Sequence, residues 1–140
     1  MYIRVIFKKS EIVFNYFQLF FNERGDCMKD IVTIGEILID LTSTSQENGI
    51  PVFKANPGGA PANVAVAASR LGAKTAFIGK VGNDFYGDFL KKTLADNNVD
   101  TSYILTDEQA RTTLAVVSLS EDGERSFSFY RKYADRFLRF

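Results

Sequence analysis

Residues 56–82, N-P-G-G-A-P-A-N-V-A-V-A-A-S-R-L-G-A-K-T-A-F-I-G-K-V-G, carry the strongest structural signals of this 140-residue chain. Pro57 fixes its own φ angle, and the two glycines after it accept positive φ and leave space for another molecule against the bare backbone. Pro61 suits the first turn of a helix, where its missing N–H costs nothing. Small side chains then predict a helix that ends near Gly72, and a strand follows from Lys74 to Val81. In an α/β sheet, a glycine turn followed by a helix N-terminus places backbone donors at a ligand crevice.

Composition excludes several classes of protein. The chain is 46% hydrophobic and 24% charged, which is typical of a globular domain. Seventeen basic and seventeen acidic residues cancel, so we expect neither a nucleic-acid nor a membrane partner. The absence of histidine excludes a Ser–His or Cys–His catalytic dyad. A single cysteine, Cys27, excludes an internal disulfide and favours a reducing, cytoplasmic location.

The run from Asp30 to Asp40, D-I-V-T-I-G-E-I-L-I-D, is almost continuously apolar and β-rich. It predicts a central parallel strand that is buried on both faces. Ligands of open α/β sheets bind beyond the carboxyl ends of the strands, so Asp40 is expected to meet one. Its carboxylate can accept hydrogen bonds from two neighbouring hydroxyl groups. The alternative is a solvated aspartate at the end of a strand.

A polar loop follows from Leu41, and residues 50–55, I-P-V-F-K-A, then predict a short edge strand. Further along, Asn83 and Asp84 provide an N-cap for a helix from Phe85 to about Asn97. Residues 99–105 indicate another short strand. Such an alternation of strands and helices predicts an α/β fold with a parallel, helix-covered sheet. The buried face of the helix is predicted to consist of Phe85, Phe89 and Leu94.

Residues 111–130 break this alternation. The runs T-T-L-A-V-V-S-L and R-S-F-S-F-Y flank a turn at Asp122-Gly123, which predicts a β-hairpin. A two-stranded ribbon is only marginally stable by itself. We therefore expect the hairpin to pair with the strand at Val52–Ala55.

Residues 56–82 resemble the first motif of the ribokinase-like carbohydrate kinases, also called the PfkB family. The run G-K-V-G-N-D-x-x-G, which ends at Gly87, and F-Y-R, which ends at Arg131, are typical of its fructokinase-like branch. The alternative for the glycine turn alone is an ordinary turn before a structural helix. Neither a Walker A loop nor a dinucleotide-binding fingerprint is present. The residues that match the first motif at the family's spacing are Gly58, Gly59, Pro61, Asn63, Ala65, Gly72 and Gly82.

The resemblance implies a ribokinase-like parallel sheet with flanking helices and a small β-sheet lid from strands at about 41–57 and 111–130. It also implies ATP-dependent phosphorylation of a sugar hydroxyl, with fructose as the expected sugar. Ribose, a nucleoside or 2-keto-3-deoxygluconate remain alternatives within the family. Lids of the family often pair in homodimers, so exposed apolar lid residues predict an interface, with packing inside the monomer as the alternative. The implied sugar-binding residues are Asp40, Gly58, Gly59, Asn63 and Arg131, although a surface arginine is the alternative for the last.

The resemblance extends from Lys29 to about Arg131, which corresponds to the amino-terminal part of the family domain. The family's G-A-G-D motif, which carries the catalytic base, does not occur in this sequence, and neither does the N-x-x-E motif associated with Mg²⁺. ATP and Mg²⁺ are therefore expected for the full-length family, and we expect this chain to be truncated and inactive alone. A non-catalytic sugar-binding or lid-dimer fragment and a mispredicted reading frame are the alternatives.

Residues 1–27 differ from the rest of the chain. They hold seven of its nineteen aromatic residues, which follow neither a strand nor a helix period. A basic start before an apolar run suggests a signal peptide, but no small-residue cleavage site follows. Met28 stands where a kinase of this family would begin. We expect residues 1–27 to be an upstream extension outside the fold, and residues 28–140 to form the kinase part.

Overall fold

The computed structural model describes residues 28–119 and 125–131. The expectations for residues 1–27 and for the Asp122-Gly123 turn lie outside the described residues. In chain order the described elements are β1 (Ile31–Ile34), β2 (Leu38–Glu47), β3 (Ile50–Gly58), α1 (Ala60–Arg70), β4 (Thr75–Gly82), α2 (Phe85–Asp96), β5 (Val99–Asp100), β6 (Ile104–Asp107), β7 (Leu114–Leu119) and β8 (Arg125–Tyr130). The strands form two sheets.

The first sheet is parallel, and β4 lies at its centre. β1 pairs with one side of β4, whereas β5 and β6 pair with successive parts of its other side. The side chains of Phe77 and Val81 in β4 are buried in one core cluster with residues of both helices. The helices contribute Ala62, Ala65, Leu90 and Leu94 to this cluster. The predicted α/β architecture, with its parallel sheet and a second sheet, is thereby confirmed.

The second sheet has the strand order β3-β2-β7-β8. β2 and β3 form a hairpin whose turn residues, Asn48 and Gly49, both have positive φ angles of 52° and 78°. Such angles match the twist of the paired strands, and asparagine and glycine accept them readily. β7 runs parallel to β2, and β8 pairs with β7 in the antiparallel direction. The sheet is buried where it meets the core, at residues 38–39, and exposed at the far end of the β2–β3 hairpin.

The prediction of one central strand from Asp30 to Asp40 is wrong. β1 ends at Ile34, Gly35 takes a φ of 151°, and the chain then enters the second sheet at Leu38. The run is continuously apolar because Ile37, Leu38 and Ile39 are buried where the two sheets meet. β1 itself is only partly buried, and β4 takes the central position.

The predicted polar loop after Leu41 is also wrong, because residues 41–47 continue β2. Their polar side chains suit the exposed end of the second sheet, where neither face is covered. The β7–β8 hairpin also pairs with a different strand from the one predicted. β7 pairs with residues 39–42 of β2, and Val52–Ala55 pairs with the opposite side of β2. β3 is the edge strand of this sheet, a position in which Pro57 can lie because it has no N–H to donate.

Helix α2 begins as predicted, with Asp84 as its N-cap. The side chain of Phe85 is 79% exposed, so its predicted burial is wrong. The buried positions of α2 are Gly87, Leu90 and Leu94, since this spacing of three and four residues faces the first sheet. Neither of the two described helices is long and apolar enough to cross a membrane.

Asn97 links the carboxyl ends of the two helices. Its carbonyl oxygen accepts a hydrogen bond of 2.7 Å from the Ser69 hydroxyl, and its Oδ1 accepts one of 2.9 Å from Arg70 Nε. Its Nδ2 donates to the Thr93 carbonyl oxygen at 2.8 Å. These bonds satisfy carbonyl groups that a helix end would otherwise leave unpaired and hold α1 beside α2.

We expect Asn97→Ala to lower the free energy of unfolding by about 1–3 kcal/mol, because two side-chain hydrogen bonds are lost. Lys92→Ala is the matched control on the same helix. It removes only an exposed ion pair with Asp96, which contributes about 0.5 kcal/mol or less. Urea unfolding of both variants measures the difference, and equal effects would show that Asn97 does not link the helices.

Candidate functional site

Asp40 lies in β2, between Asn56 of β3 and Ala115 of β7. Its side chain is partly buried, and this burial raises the pKa of the carboxyl group above its usual value. The carboxylate makes no hydrogen bond or ion pair with another residue that the structure describes. A partly desolvated acceptor without a protein donor is suited to donors on a ligand.

Gly58 lies on the same face of the sheet as Asp40, because its partner in β2 is Leu38, two residues away. A side chain at position 58 would overlap the carboxylate of Asp40 and come within 2.9 Å of Leu38 Cδ1. The structure therefore places Asp40 directly against the first glycine of the turn.

Gly59 is the N-cap of α1 and has a φ of 107°. A Cβ atom at this position would lie 2.5 Å from the Glu36 carbonyl oxygen and 3.0 Å from Ile37 Cα. The expectation that the bare glycines leave space for another molecule thus needs correction. The missing side chain of Gly58 makes way for Asp40 and Leu38 of β2, and that of Gly59 makes way for the segment between β1 and β2.

Asn63 lies on the first turn of α1, where its backbone N–H donates to the Gly59 carbonyl oxygen at 2.9 Å. Asn63 is exposed. The helix has no acidic residue in its first turn and no side-chain cap, so its first amide groups carry uncompensated partial positive charge. Asp40 of β2 therefore lies against Gly58, the last residue of β3, and α1 begins two residues later at Ala60.

Arg131 follows β8 and is tied to the same region. Its guanidinium carbon lies 4.2 Å from the centroid of Phe129, and its Nη1 lies 3.9 Å from Glu36 Oε2. Phe129 pairs with Ala115, which in turn pairs with Asp40, so the three residues form one row across the sheet. Glu36 is the residue whose backbone meets Gly59, and it thus connects Arg131 with the glycine turn.

Two neighbours of the site were not predicted from the sequence. Glu36 follows the true carboxyl end of β1, and it would have been found if the strand had been ended at Gly35. Asn56 pairs with Asp40, and its Nδ2 lies 3.3 Å from Thr42 Oγ1. No sequence signal distinguished this asparagine from a turn residue.

Within residues 28–119 and 125–131, no group of three or more acidic, histidine or cysteine side chains could hold a metal ion. The implied Mg²⁺ is therefore assigned to no cluster among those residues.

Residues 28–139 match the sequence profile described as "pfkB family carbohydrate kinase". The chain belongs to this family. The match spans both sheets and both described helices, and it confirms the resemblance seen in the glycine turn. The family consists of sugar kinases, which are phosphotransferases.

Several proteins that this chain resembles are named fructokinases. Probable fructokinase-2 of Arabidopsis thaliana is 47% identical over 84% of this chain and 37% of its own length. A Xylella fastidiosa fructokinase solved with bound ATP is 48% identical, with a TM-score of 0.66 over 72% of this chain and 30% of that chain. A Vibrio cholerae O395 fructokinase bound to fructose, ADP and a calcium ion is 45% identical, with a TM-score of 0.67 over 77% of this chain and 34% of its own. The chain thus spans about a third of the length of the relatives it matches.

We expect Asp40→Asn to leave the free energy of unfolding at pH 7 unchanged or raised by no more than about 1 kcal/mol. The raised pKa means that folding disfavours the ionised carboxylate. This cost is absent below the unfolded pKa, grows as the pH rises through the folded pKa, and is complete above it. The difference between the variant and the wild type should therefore shrink as the pH falls towards 4.

Urea unfolding at pH 4 and pH 7 measures this difference. A variant that is less stable by several kcal/mol at pH 7 would contradict the prediction, because it would identify Asp40 as a structural carboxylate with donors of its own.

Proposed function

We propose that this chain provides the sugar-binding region of an ATP-dependent sugar kinase, with D-fructose as the acceptor. The observation that carries the proposal is the Asp40 carboxylate, which has no partner among the described residues and lies against Gly58. The naming of the relatives as fructokinases supports fructose over other sugars.

Each residue has a role that its position supports. Asp40 accepts hydrogen bonds from sugar hydroxyl groups, and its neighbours on both sides in the sheet hold it in one orientation. Asn63 and the first amide groups of α1 donate to the sugar from the helix terminus. Gly58 and Gly59 keep this terminus close to β2. Arg131 approaches the sugar or its developing phosphate from the end of β8.

Phosphoryl transfer depends chiefly on positioning and on stabilisation of charge. ATP supplies the phosphoryl group when it is bound, with Mg²⁺ to neutralise its charge. The residues described here contribute to orientation of the acceptor sugar. Ribose, a nucleoside and 2-keto-3-deoxygluconate differ from fructose in their hydroxyl pattern, so Asp40 and Asn63 are the residues that would distinguish them.

The second sheet acts as a lid over the sugar in this proposal, and it also pairs with the lid of a second copy in a homodimer. Its side chains Phe53, Phe127 and Tyr130 are 43–64% exposed, although apolar side chains of this size favour burial. Phe127 stacks on Phe129 with a centroid distance of 6.3 Å. Sedimentation equilibrium tests the dimer.

We also propose a cytoplasmic location, because a single cysteine suits a reducing compartment.

We expect the 140-residue chain to bind D-fructose more tightly than D-ribose and to transfer no phosphate from ATP. Asp40→Asn and Gly58→Ala should each weaken fructose binding at least about tenfold, because the first removes the charged acceptor and the second displaces it. Calorimetric titration with each sugar measures binding, and a coupled ADP assay with Mg²⁺ measures transfer.

Lys92→Ala is the control, since its ammonium group lies on the exposed face of α2. Equal affinity for the two sugars would refute fructose as the substrate. Unchanged fructose binding by Asp40→Asn would refute Asp40 as a sugar ligand. ATP turnover by this chain alone would refute the claim that it binds the sugar without transferring phosphate.

A further inference from the structure

A partly buried hydrogen-bond network joins helix α2 to the segment that leads into β7. The carboxylate of Asp84 accepts bonds from the Gly87 N–H at 2.9 Å, the Thr112 N–H at 2.9 Å and the Thr112 hydroxyl at 2.7 Å. The Thr112 hydroxyl oxygen in turn accepts from the Gly82 N–H at 3.1 Å. Thr112 is 5% exposed. We call these two side chains the Asp84–Thr112 junction.

The junction exceeds what a helix cap requires. The bond from Gly87 alone caps α2, whereas the other two bonds to Asp84 come from a residue 28 positions later. The surrounding backbone is shaped for the junction. A Cβ atom at Gly82 would lie 2.7 Å from the Thr112 nitrogen, and one at Gly87 would lie 3.2 Å from Thr112 Oγ1. Glycine at both positions allows the network to close.

The network remains charged. Burial raises the pKa of Asp84, but the hydrogen bonds from Thr112 and Gly87 and the nearby charge of Arg111 outweigh it, so the pKa lies below its usual value. An ionised carboxylate can accept all three donors, whereas a protonated one would place a hydrogen against one of them. The bonds are thus of the stronger, charge-assisted kind.

The junction leads directly to Asp40. The Thr113 carbonyl oxygen accepts the Ile39 N–H at 3.0 Å, and from there Leu114 pairs with Ile39 and Ala115 with Asp40. The register of β7 on β2 therefore starts one residue after Thr112. On the opposite side of β2, the contact of Gly59 with Glu36 fixes the start of the strand.

From this placement we propose that Asp84 and Thr112 are positioning residues for Asp40. They anchor β7 to the amino-terminal end of α2, and β7 holds β2 in the register that presents the carboxylate to the sugar. The part of this inference that concerns the sugar rests on the proposed function. The part that concerns the anchoring of β7 does not.

Thr112→Val tests the inference, because valine keeps the shape and removes both hydroxyl bonds. Thr112→Ser is the matched control, since serine keeps the hydroxyl. In hydrogen-exchange measurements on the full chain, we expect amides in 38–42 and 114–117 to exchange about tenfold faster in Thr112→Val, while those in 75–81 keep their rates. The Gly82 amide is left out of this comparison, because it loses its own acceptor in the variant. Fructose affinity should fall about tenfold in this variant and little in Thr112→Ser.

Faster exchange in both sheets alike would overturn the proposal, because it would show a general loss of stability. Faster exchange in β2 and β7 with unchanged fructose affinity would overturn the positioning of Asp40. If the wild type binds no fructose, the proposed function fails, and the exchange rates still decide whether the junction anchors β7. Asp84→Asn, which keeps one acceptor for the cap of α2, replaces Thr112→Val if the latter does not fold.

Discussion

The arrangement of the two sheets depends on a close backbone contact between the glycine turn and the segment that joins β1 to β2. Gly59 approaches the Glu36 carbonyl oxygen so closely that no side chain fits, and its φ of 107° is one that other residues rarely adopt. This contact fixes the point at which the chain leaves the first sheet for the second. Ile37 and Ile39 follow this contact and are buried in one cluster with Phe77 of the first sheet, so the two sheets share one core.

Two aspartates among the described residues, Asp84 and Asp40, lie in opposite environments, and their pKa values shift in opposite directions. Asp84 has three donors and a lowered pKa, so its burial is compensated and contributes to stability. Asp40 is partly buried, has no donor among the described residues and has a raised pKa, so its burial is a cost. A protein retains such a cost where the group serves a ligand. The two aspartates thus differ in their hydrogen bonds, and this difference supports the proposed binding role of Asp40.

Local signals in the sequence predicted α1, β4 and α2, because their turns, caps and periodicity lie within a few residues. Pairings between distant segments were not predictable in the same way. The apolar run from Asp30 to Asp40 is compatible with one long strand. It is equally compatible with two strands separated by a break at Gly35, because residues buried between two sheets are as apolar as those of a central strand. Pairing of β7 with β2 depends on the junction at Thr112, which has no local pattern. The sequence predicts Asp40 at the carboxyl end of a strand in the parallel sheet. In the structure it lies in β2 of the second sheet and contacts Gly58 from there.

The geometry also bears on how sugar binding and phosphoryl transfer are related in this chain. Interactions that are equal in the ground state and the transition state improve binding without accelerating the chemical step. In the proposed function the residues around Asp40 orient the acceptor, and orientation contributes to the rate only when a second substrate is held in line with the attacking hydroxyl. Under the proposed function, the affinity of this chain for a sugar reports on acceptor binding alone.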